Sequence, residues 1–549
     1  MIETPVLIVG AGPAGATLAA EVGFGGGRCL LIDEGDGHNP HPRANFAGQR
    51  TMEIFRRWGL ADEVIQASLP LDYPVHVIFS TRLCDKEIHR FKLGTLRDYL
   101  NPSDEFRAVV PDVEWSPYFK TQIGQNFLEP LIAGFAKTHT GVQVWYGWKL
   151  EDFEQDENGV TATLRRVAPA SEPGQPADET CRVRCQYLVG CDGGKSLVRR
   201  KLEVPFIGRG ALSRNLGIYA RIPGFLDHHK MGPGTLLWTL APNSQGVFIT
   251  INGDDLWTYN RYFDDDNDTT APEDIVCQAI GKKVPVEVLS VQPWTGYQVV
   301  AERYRVGRVF LCGDSAHLFN PTGGFGMNTA IADAADLGWK LAATLNGWGG
   351  ASLLDSYESE RRPIGVRNTT QAARNFDGVA GILRSPAHIE EESERGEALR
   401  RSVAEHLQGQ KHTWSASGMH LGYRYDDSPI IVPDGTEPPP DDPLRYHPSA
   451  RPGSRIPHVW LKPGFSTLDL VPRTGFRVFR LAGAPSCTEL LQAAALRNVP
   501  IDEHVIEGER AAELYGARYV LVRPDSHVAW RGNDIPASPL EIIDTVRGA

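Results

Sequence analysis

Cysteine is scarce, with eight residues in 549, no Cys-x-x-Cys pair and no paired spacing suited to zinc. That excludes a disulfide-stapled small fold and leaves no metal site to expect. Cys181, Cys185 and Cys191 fall close together but occupy a strand-like stretch, so they read as ordinary thiols. No apolar run approaches the roughly 18 residues that cross a bilayer, so no membrane-spanning helix is expected. Runs of lysine and arginine are missing too, and 56 basic residues face 68 acidic ones for a net charge of −12. An acidic chain repels phosphate backbones at long range, so nucleic acid is not an expected partner. The opening MIETPVLIVGAGPAG lacks the positive region of a signal peptide and enters a strand at once. The expectation is a cytoplasmic protein without membrane association.

What is present is an ordinary globular balance, 41% hydrophobic and 23% charged. At about 100–200 residues per domain, the length suits three or four units. Residues 1–34 read as strand, glycine turn, helix and strand. Residues 41–60 read as a loop feeding a helix. Residues 121–138 are apolar at helical spacing, with Phe127, Leu128, Leu131 and Ile132 on one side. Residues 143–165 alternate like a hairpin, and 166–180 form a polar, Pro-rich loop. Residues 205–300 hold many short β-like pieces and read as a mostly antiparallel sheet. Residues 307–313 read as a buried strand and 326–346 as a helix. The charged, Pro-rich stretch 396–445, with PPPDDP at 438–443, marks a boundary before a small α/β unit from 450 onward.

The first motif with chemistry is Gly10-x-Gly12-x-x-Gly15, between the strand PVLIV and a helix. Gly10 permits the tight turn, Gly12 lets the backbone approach a pyrophosphate, and Gly15 lets helix and strand pack closely. Asp33 ends the next strand, about 20 residues on, where a ribose hydroxyl is held in dinucleotide sites. The loop does not say which dinucleotide. Two later motifs do: Asp192-Gly193 in YLVGCDGGKSLVRRKL, and Gly313-Asp314 followed by His317, Pro321 and a glycine loop in GRVFLCGDSAHLFNPTGGFGMN. Asp192 also fits a turn residue and Asp314 a helix cap. His317 fits an ordinary loop histidine equally well.

The three motifs in this order resemble the single-component flavoprotein aromatic monooxygenases of the para-hydroxybenzoate hydroxylase fold, over about residues 1–390. Four further stretches, beginning at His41, Gly323, Pro448 and Val520, are similar to the rebeccamycin-type indolocarbazole hydroxylase branch. The phenol hydroxylase and dichlorophenol hydroxylase branch shares the plan. The resemblance implies an α/β fold: a Rossmann-like FAD-binding domain (1–75, 100–204 and 286–395), a mostly antiparallel substrate-binding β-sheet domain (76–99 and 205–285), a linker (396–449) and a thioredoxin-like domain (450–549). With Cys487 alone and no Cys-x-x-Cys, that last domain is read as redox-inactive, structural or dimer-forming.

The resemblance also assigns residues. FAD would be held by Gly10, Gly12, Gly15, Asp33, Arg43, Gln125, Asp192, Gly193, Gly313, Asp314, Pro321, Gly324, Gly326, Met327 and Asn328. Asp314 would accept from ribityl hydroxyls. Gln125 would reach the ribityl–phosphate region, and Asp192-Gly193 would serve both FAD and the nicotinamide donor. The helix after the glycine loop would aim its N-terminus at the flavin pyrimidine edge. Arg43, Asn45, Pro321, Tyr219 and Gln298 fall at the reacting centre, with Arg214 a further candidate for substrate contact. The implied cycle has NADPH or NADH as transient reductant, O2 adding to reduced flavin as a C4a-hydroperoxide, and oxygen transfer to an electron-rich ring. No second glycine fingerprint provides a nicotinamide domain. Where phenol hydroxylases place a carboxylate, this chain has Asn45, which cannot deprotonate a phenol. An alternative reading is a flavoprotein that binds and directs a reactive biosynthetic intermediate with little NAD(P)H turnover. The expected partners are an aromatic small molecule and O2, with a homodimer left open. Tyr219, Trp238, Tyr259 and Tyr262 of the middle sheet fit core packing as well as substrate contact.

Overall fold

The computed structural model describes residues 1–167, 179–262, 269–384, 387–410, 413–414 and 416–549. Most of the Pro-rich loop expected at 166–180 lies outside the described residues. The strand Ile2–Val9 carries Val6, Leu7 and Ile8 with no exposed surface, as a central parallel strand requires. It pairs in parallel with Cys29–Asp33 on one side and with Thr180–Gly190 on the other. Outside these lie Val142–Tyr146 and Val309–Leu311, again parallel, and an antiparallel hairpin, Trp148–Asp156 and Gly159–Arg166, extends one end. The strand order reverses at Ile2–Val9, and ligands of such sheets sit at the carboxyl ends of the strands around that reversal.

The helix Pro13–Phe24 follows the first strand, and the long apolar helix Gly326–Leu345 packs across it. Small residues make that crossing possible. A Cβ added at Gly338 would fall 2.4 Å from Glu21 Cβ, and one at Gly25 2.6 Å from Ala342 Cβ. The crowded glycines after the first helix are therefore a packing feature.

The second sheet has eight strands. At its centre the long strands Phe206–Arg221 and Glu287–Ala301 run antiparallel, with bulges near Gly208 and Ser213. Leu256–Tyr262, Gly246–Thr250 and Leu236–Thr239 follow, and Val77–Ser80 joins in parallel, carrying Glu87–Phe91 at the edge. The short His317–Leu318 pairs with Val299–Val300, which ties this sheet to the residues just after Asp314.

Two expectations need correction. The stretch 396–449, expected as a linker, contains the helix Glu394–Gln408. Its Val403 and Leu407 are buried in one core with Phe79, Phe91 and Trp238, because they recur every four residues on one face. The helix expected at 121–138 runs from Gln125 to Lys137 and buries Leu128 and Ile132, whereas Phe127 is exposed.

The C-terminal unit is a four-stranded sheet in the order Ile501–Ile506, Phe476–Leu481, Tyr519–Val522, Val528–Gly532. The first two strands are parallel and the others antiparallel, with helices Thr488–Ala495, Glu509–Tyr515 and Pro539–Val546 between and after them. That βαβαββα arrangement is the thioredoxin-like core. Among the described residues no helix is long and apolar enough to cross a membrane.

Candidate flavin site

The glycine turn does what its spacing demands. Gly10 has φ +99°, and a Cβ there would lie 2.4 Å from the Cys191 carbonyl oxygen. A Cβ at Gly15 would fall 1.8 Å from the Gly10 carbonyl oxygen, so the helix can approach the strand only with glycine. A Cβ at Gly12 meets nothing closer than Glu129 Oε1 at 3.9 Å, so this side of the turn is open. Gly12 is the helix N-cap, with no side-chain cap and no acidic residue in the first turn. Its N–H groups are thus available to an anion. Asp33 accepts from the Ala11 N–H at 2.6 Å and the Gly35 N–H at 2.7 Å, which fixes its carboxylate beside the turn.

Gln125 braces the loop that carries Arg43. Its Oε1 accepts from the backbone N–H of Arg43 (3.2 Å) and Ala44 (3.1 Å), and its Nε2 donates to Glu129 at 2.8 Å. The Asn45 carbonyl accepts from Ile123, and Phe46–Ala47 pairs with Thr121–Gln122. The exposed Arg43 side chain reaches Gln292 Oε1 on the second sheet at 3.5 Å. His41 Nδ1 meets Ser290 Oγ at 2.8 Å, so this loop is pinned to the sheet at two points.

Gly313 (φ +67°) lets the end of Val309–Leu311 pack on Ala14 and Ala330, which brings Asp314 to the N-termini of both helices. Asp314 has an exposed side chain, yet enough protein surrounds it that desolvation pushes its carboxyl up against the pull of His317 and Arg43. Exposed surface together with desolvation marks a carboxylate on the wall of a cleft. Asp192 is raised by burial; one oxygen accepts from the Val198 N–H at 3.1 Å, and Oδ1 is buried without a partner. Gly193 (φ +75°) has open space beyond it.

The glycine loop is anchored on both sides. Asn320 Nδ2 donates to Ser213 Oγ at 3.2 Å, and its Oδ1 accepts from Thr322. This sets the exposed Pro321 between the second sheet and the loop. Asn328 Oδ1 accepts from the Gly48 N–H (2.6 Å) and Thr51 Oγ1 (2.7 Å), while Nδ2 donates to the Gly324 carbonyl at 2.9 Å. Asn328 therefore locks the loop to the Arg43 segment from within. A Cβ at Gly324 would lie 2.1 Å from the Phe46 ring. Gly326 and Met327 open the helix Gly326–Leu345, whose N-cap, Phe325, supplies no side-chain cap.

The open side of Gly12, the uncapped helix ends and the exposed, desolvated carboxyl of Asp314 fit a dinucleotide that carries a polyol chain. FAD is such a group. Of the residues expected at the reacting centre, Arg43 lies close enough to Asp314 to pull on its carboxyl, Asn45 is on the same loop as Arg43, and Pro321 opens the glycine loop. Tyr219 is on the strand Phe206–Arg221, its ring 6.4 Å from that of His41. Gln298 donates to Thr370 at 3.4 Å and leaves Oε1 buried without a partner.

Several residues gave no sequence signal. Phe46, Glu129, Lys120 and His420 belong to no motif. His317, for which an ordinary loop histidine fitted as well as a motif role, is wholly buried and bonded through Nε2 to Asp333 at 2.6 Å. Asp333, Asp336 and Lys340 punctuate an otherwise apolar helix, and charges in such a helix imply buried partners. That was the available sign.

Comparisons with known proteins show the family and its cofactor. Residues 3–372 match the FAD binding domain family, and residues 449–546 match the C-terminal domain of aromatic-ring hydroxylases. The 2,4-dichlorophenol 6-monooxygenase of Cupriavidus pinatubonensis is 31% identical, over 98% of this chain and 94% of that one. Aklavinone 12-hydroxylase RdmE of Streptomyces purpurascens is 32% identical, over 99% of this chain and 98% of that one. Among solved structures, the rebeccamycin biosynthetic enzyme RebC with reduced flavin superposes with a TM-score of 0.88 at 34% identity, covering 100% of this chain and 99% of that one. The flavin-dependent monooxygenase PieE with FAD and substrate gives 0.88 at 29%, with the same coverage. The chain belongs to the FAD-dependent aromatic-ring hydroxylases and is a flavoprotein monooxygenase of that family.

Proposed function

We propose that this enzyme uses NADPH or NADH and O2 to hydroxylate a flat, fused-ring aromatic. The observation that carries this reading is a row of four near-parallel rings. Phe79 stacks on Trp238 (5.6 Å, 7°), Trp238 on Tyr262 (6.2 Å, 18°) and Tyr262 on Phe376 (6.2 Å, 27°). The row ends beside the glycine loop, where a Cβ at Gly323 would fall 3.0 Å from Asn375 Nδ2. Extended stacked faces suit a planar polycycle better than a single ring. The relatives that act on aklavinone and tetracenomycin B2 by their names support the same class.

Bound FAD supplies the redox chemistry that places one atom of O2 on the ring. The chain's residues supply the rest. Gly12 and the first-helix N-terminus take the pyrophosphate, and Asp33 takes the ribose. Asp314 holds the ribityl chain, and the uncapped N-terminus at Gly326 favours negative charge at the flavin pyrimidine edge. Arg43 and Pro321 frame the cleft between flavin and sheet, with Tyr219 and Gln298 on the sheet side. Asn45 can orient a hydroxyl but cannot take its proton.

Anaerobic stopped-flow reduction by NADPH and by NADH, with phenols, benzoates and fused-ring aromatics, tests the reading. A fused-ring compound should speed reduction by orders of magnitude and appear hydroxylated on aeration. If single rings do so and fused rings do not, the class is wrong. We place the enzyme in the cytoplasm, which its eight free thiols and nicotinamide requirement support. The finer proposal of a homodimer is tested by light scattering on the eluted holoenzyme.

A further inference from the structure

One cation near this cleft has no counter-charge. Lys120 precedes the short strand Thr121–Gln122 and keeps 9% of its surface. Its Nζ donates to the Trp414 carbonyl at 3.1 Å and lies 5.0 Å from the centroid of the Phe46 ring. An ammonium has three protons to donate. Among the described residues no carboxylate pairs with it, and burial alone pushes its pKa down to about 8.

On the same Phe46 ring sits His420, 6.3 Å away centroid to centroid and 5.7 Å from Phe325. It is buried, and its Nε2 has no hydrogen-bond partner. Burial, then the charges of Lys120 and Arg367, push it down to about 3. Arg367 is itself paired with Asp441. Among the described residues, the groups around Lys120 therefore offer donors and positive charge but no anion.

The place is informative. Phe46 presses on Gly324, in the loop that meets the flavin. Trp414 packs against Trp238, 6.1 Å away, and against Phe79, 6.2 Å away, the two rings at one end of the stacked row. Lys120 stands between the flavin loop and the aromatic wall. Burying an unpaired ammonium is costly, and the cost is relieved when a bound anion reaches it.

We propose that Lys120, with His420 beside it, is the anion-recognition point of the substrate pocket and receives the phenolate or carboxylate oxygen of an acidic aromatic substrate. This rests on the aromatic monooxygenase reading and narrows its substrate class. A phenol held against the ammonium is favoured as its phenolate, its proton passing to solvent, so no other reactant is needed. The task that Asn45 cannot perform is met from another element.

The test is ligand titration of the oxidised holoenzyme, followed by perturbation of the flavin spectrum. Two matched pairs serve as probes: 2,4-dichlorophenol against 2,4-dichloroanisole, and anthraquinone-2-carboxylate against its amide. Wild type should prefer the acidic member of each pair. Lys120→Met should weaken the acidic member about tenfold or more, the worth of one charge-assisted hydrogen bond, and leave the neutral member unchanged. Lys120→Arg should retain most of the preference. Equal weakening of both members, or of neither, overturns the proposal. So does a lowered flavin reduction potential in Lys120→Met with acidic ligands bound as before, because the ammonium then serves the flavin. Should Lys120→Met not fold, the wild-type preference and Lys120→Arg still decide. Wild type that binds both members equally defeats the proposal alone, whereas wild type that binds no aromatic at all defeats the underlying reading as well.

Discussion

The Nε2 of His317 and the Oδ2 of Asp333 lie 2.6 Å apart, and neither side chain is exposed. The other oxygen of Asp333 accepts from Arg361 Nε at 2.7 Å. Burial alone would raise this carboxyl, but Arg361 and His317 outweigh it and hold it below the usual range. His317 belongs to the short strand that joins the residues after Asp314 to the second sheet. Asp333→Asn keeps the shape and removes the charge, so Arg361 is left buried and poorly paired. That should cost about 3–5 kcal/mol and lower the melting temperature of the holoenzyme. It should also speed FAD release, because the Asp314 loop loses its support. Unchanged melting and unchanged FAD retention would show that the pair supports nothing.

Asp314 itself makes the sharper claim. Its carboxyl is exposed yet desolvated by the protein around it, the state expected of a group whose partner is a ligand. Asp314→Ala should purify with little flavin and keep its fold by circular dichroism. A yellow protein with full flavin occupancy would place the ribityl chain elsewhere.

The fold was readable where local rules govern it. Gly10, Gly12 and Gly15 announce the turn because only glycine fits Gly10's backbone angle and Gly15's contact with the Gly10 carbonyl. Gly313 and Gly324 were readable for the same reason. Lys120 and His420 were not, because their meaning lies in contacts hundreds of residues apart, with Trp414 and Phe46, and in the absence of a counter-charge. The helix Glu394–Gln408 hid behind its charges. Its Leu399, Val403 and Leu407 form a narrow stripe that a composition-based boundary overlooks.

Arg523 joins the C-terminal unit to the flavin domain through charges with no exposure. It bonds Glu360 at 2.6 Å and 2.9 Å, Asp336 at 3.1 Å and Asp525 at 2.6 Å, while Lys340 bonds Asp336 and Glu360 from the other side. Glu53 and Arg455 add a second buried pair across the same boundary. Cutting the chain before Pro448 would remove Arg523 from Glu360 and Asp336, and Arg455 from Glu53, leaving buried carboxylates with too little positive charge. Residues 1–447 alone should be insoluble or molten, and Glu360→Gln in the full chain should unfold at a lower temperature by several degrees. A soluble, flavin-loaded 1–447 fragment would make the C-terminal unit dispensable.

Cys487 occupies the start of the helix Thr488–Ala495, the place where thioredoxin-like folds carry redox chemistry. Here its Sγ donates to Glu503 Oε2 at 3.0 Å. Burial and that carboxylate push its pKa up to about 12. A thiol so protonated is a poor nucleophile. Cys487→Ser should hydroxylate at the wild-type rate, with or without dithiothreitol. A large loss of turnover in a folded protein would restore a redox role to this unit.

Buried histidines should govern stability in weak acid. His41 and His527 are pushed down to about 4, and His420 and His458 to about 3, in each case chiefly by burial. The unfolded chain takes these protons near pH 6.5. Above that, imidazoles are neutral in both states and their contribution is complete. Below it, the unfolded state binds more protons, so stability falls with falling pH until the folded histidines titrate. Carboxyls held high by burial, such as Glu21 and Glu129, act in the opposite sense, so the comparison is best made between variants. His458 is remote from the flavin and bonds Ser466 Oγ at 2.6 Å through Nδ1. His458→Asn should reduce the slope of unfolding free energy against pH by about one proton between pH 6 and 4, with no change above pH 7. Urea unfolding at half-unit pH steps measures it, and parallel curves for the two proteins across that range would mean that His458 is already charged in the fold.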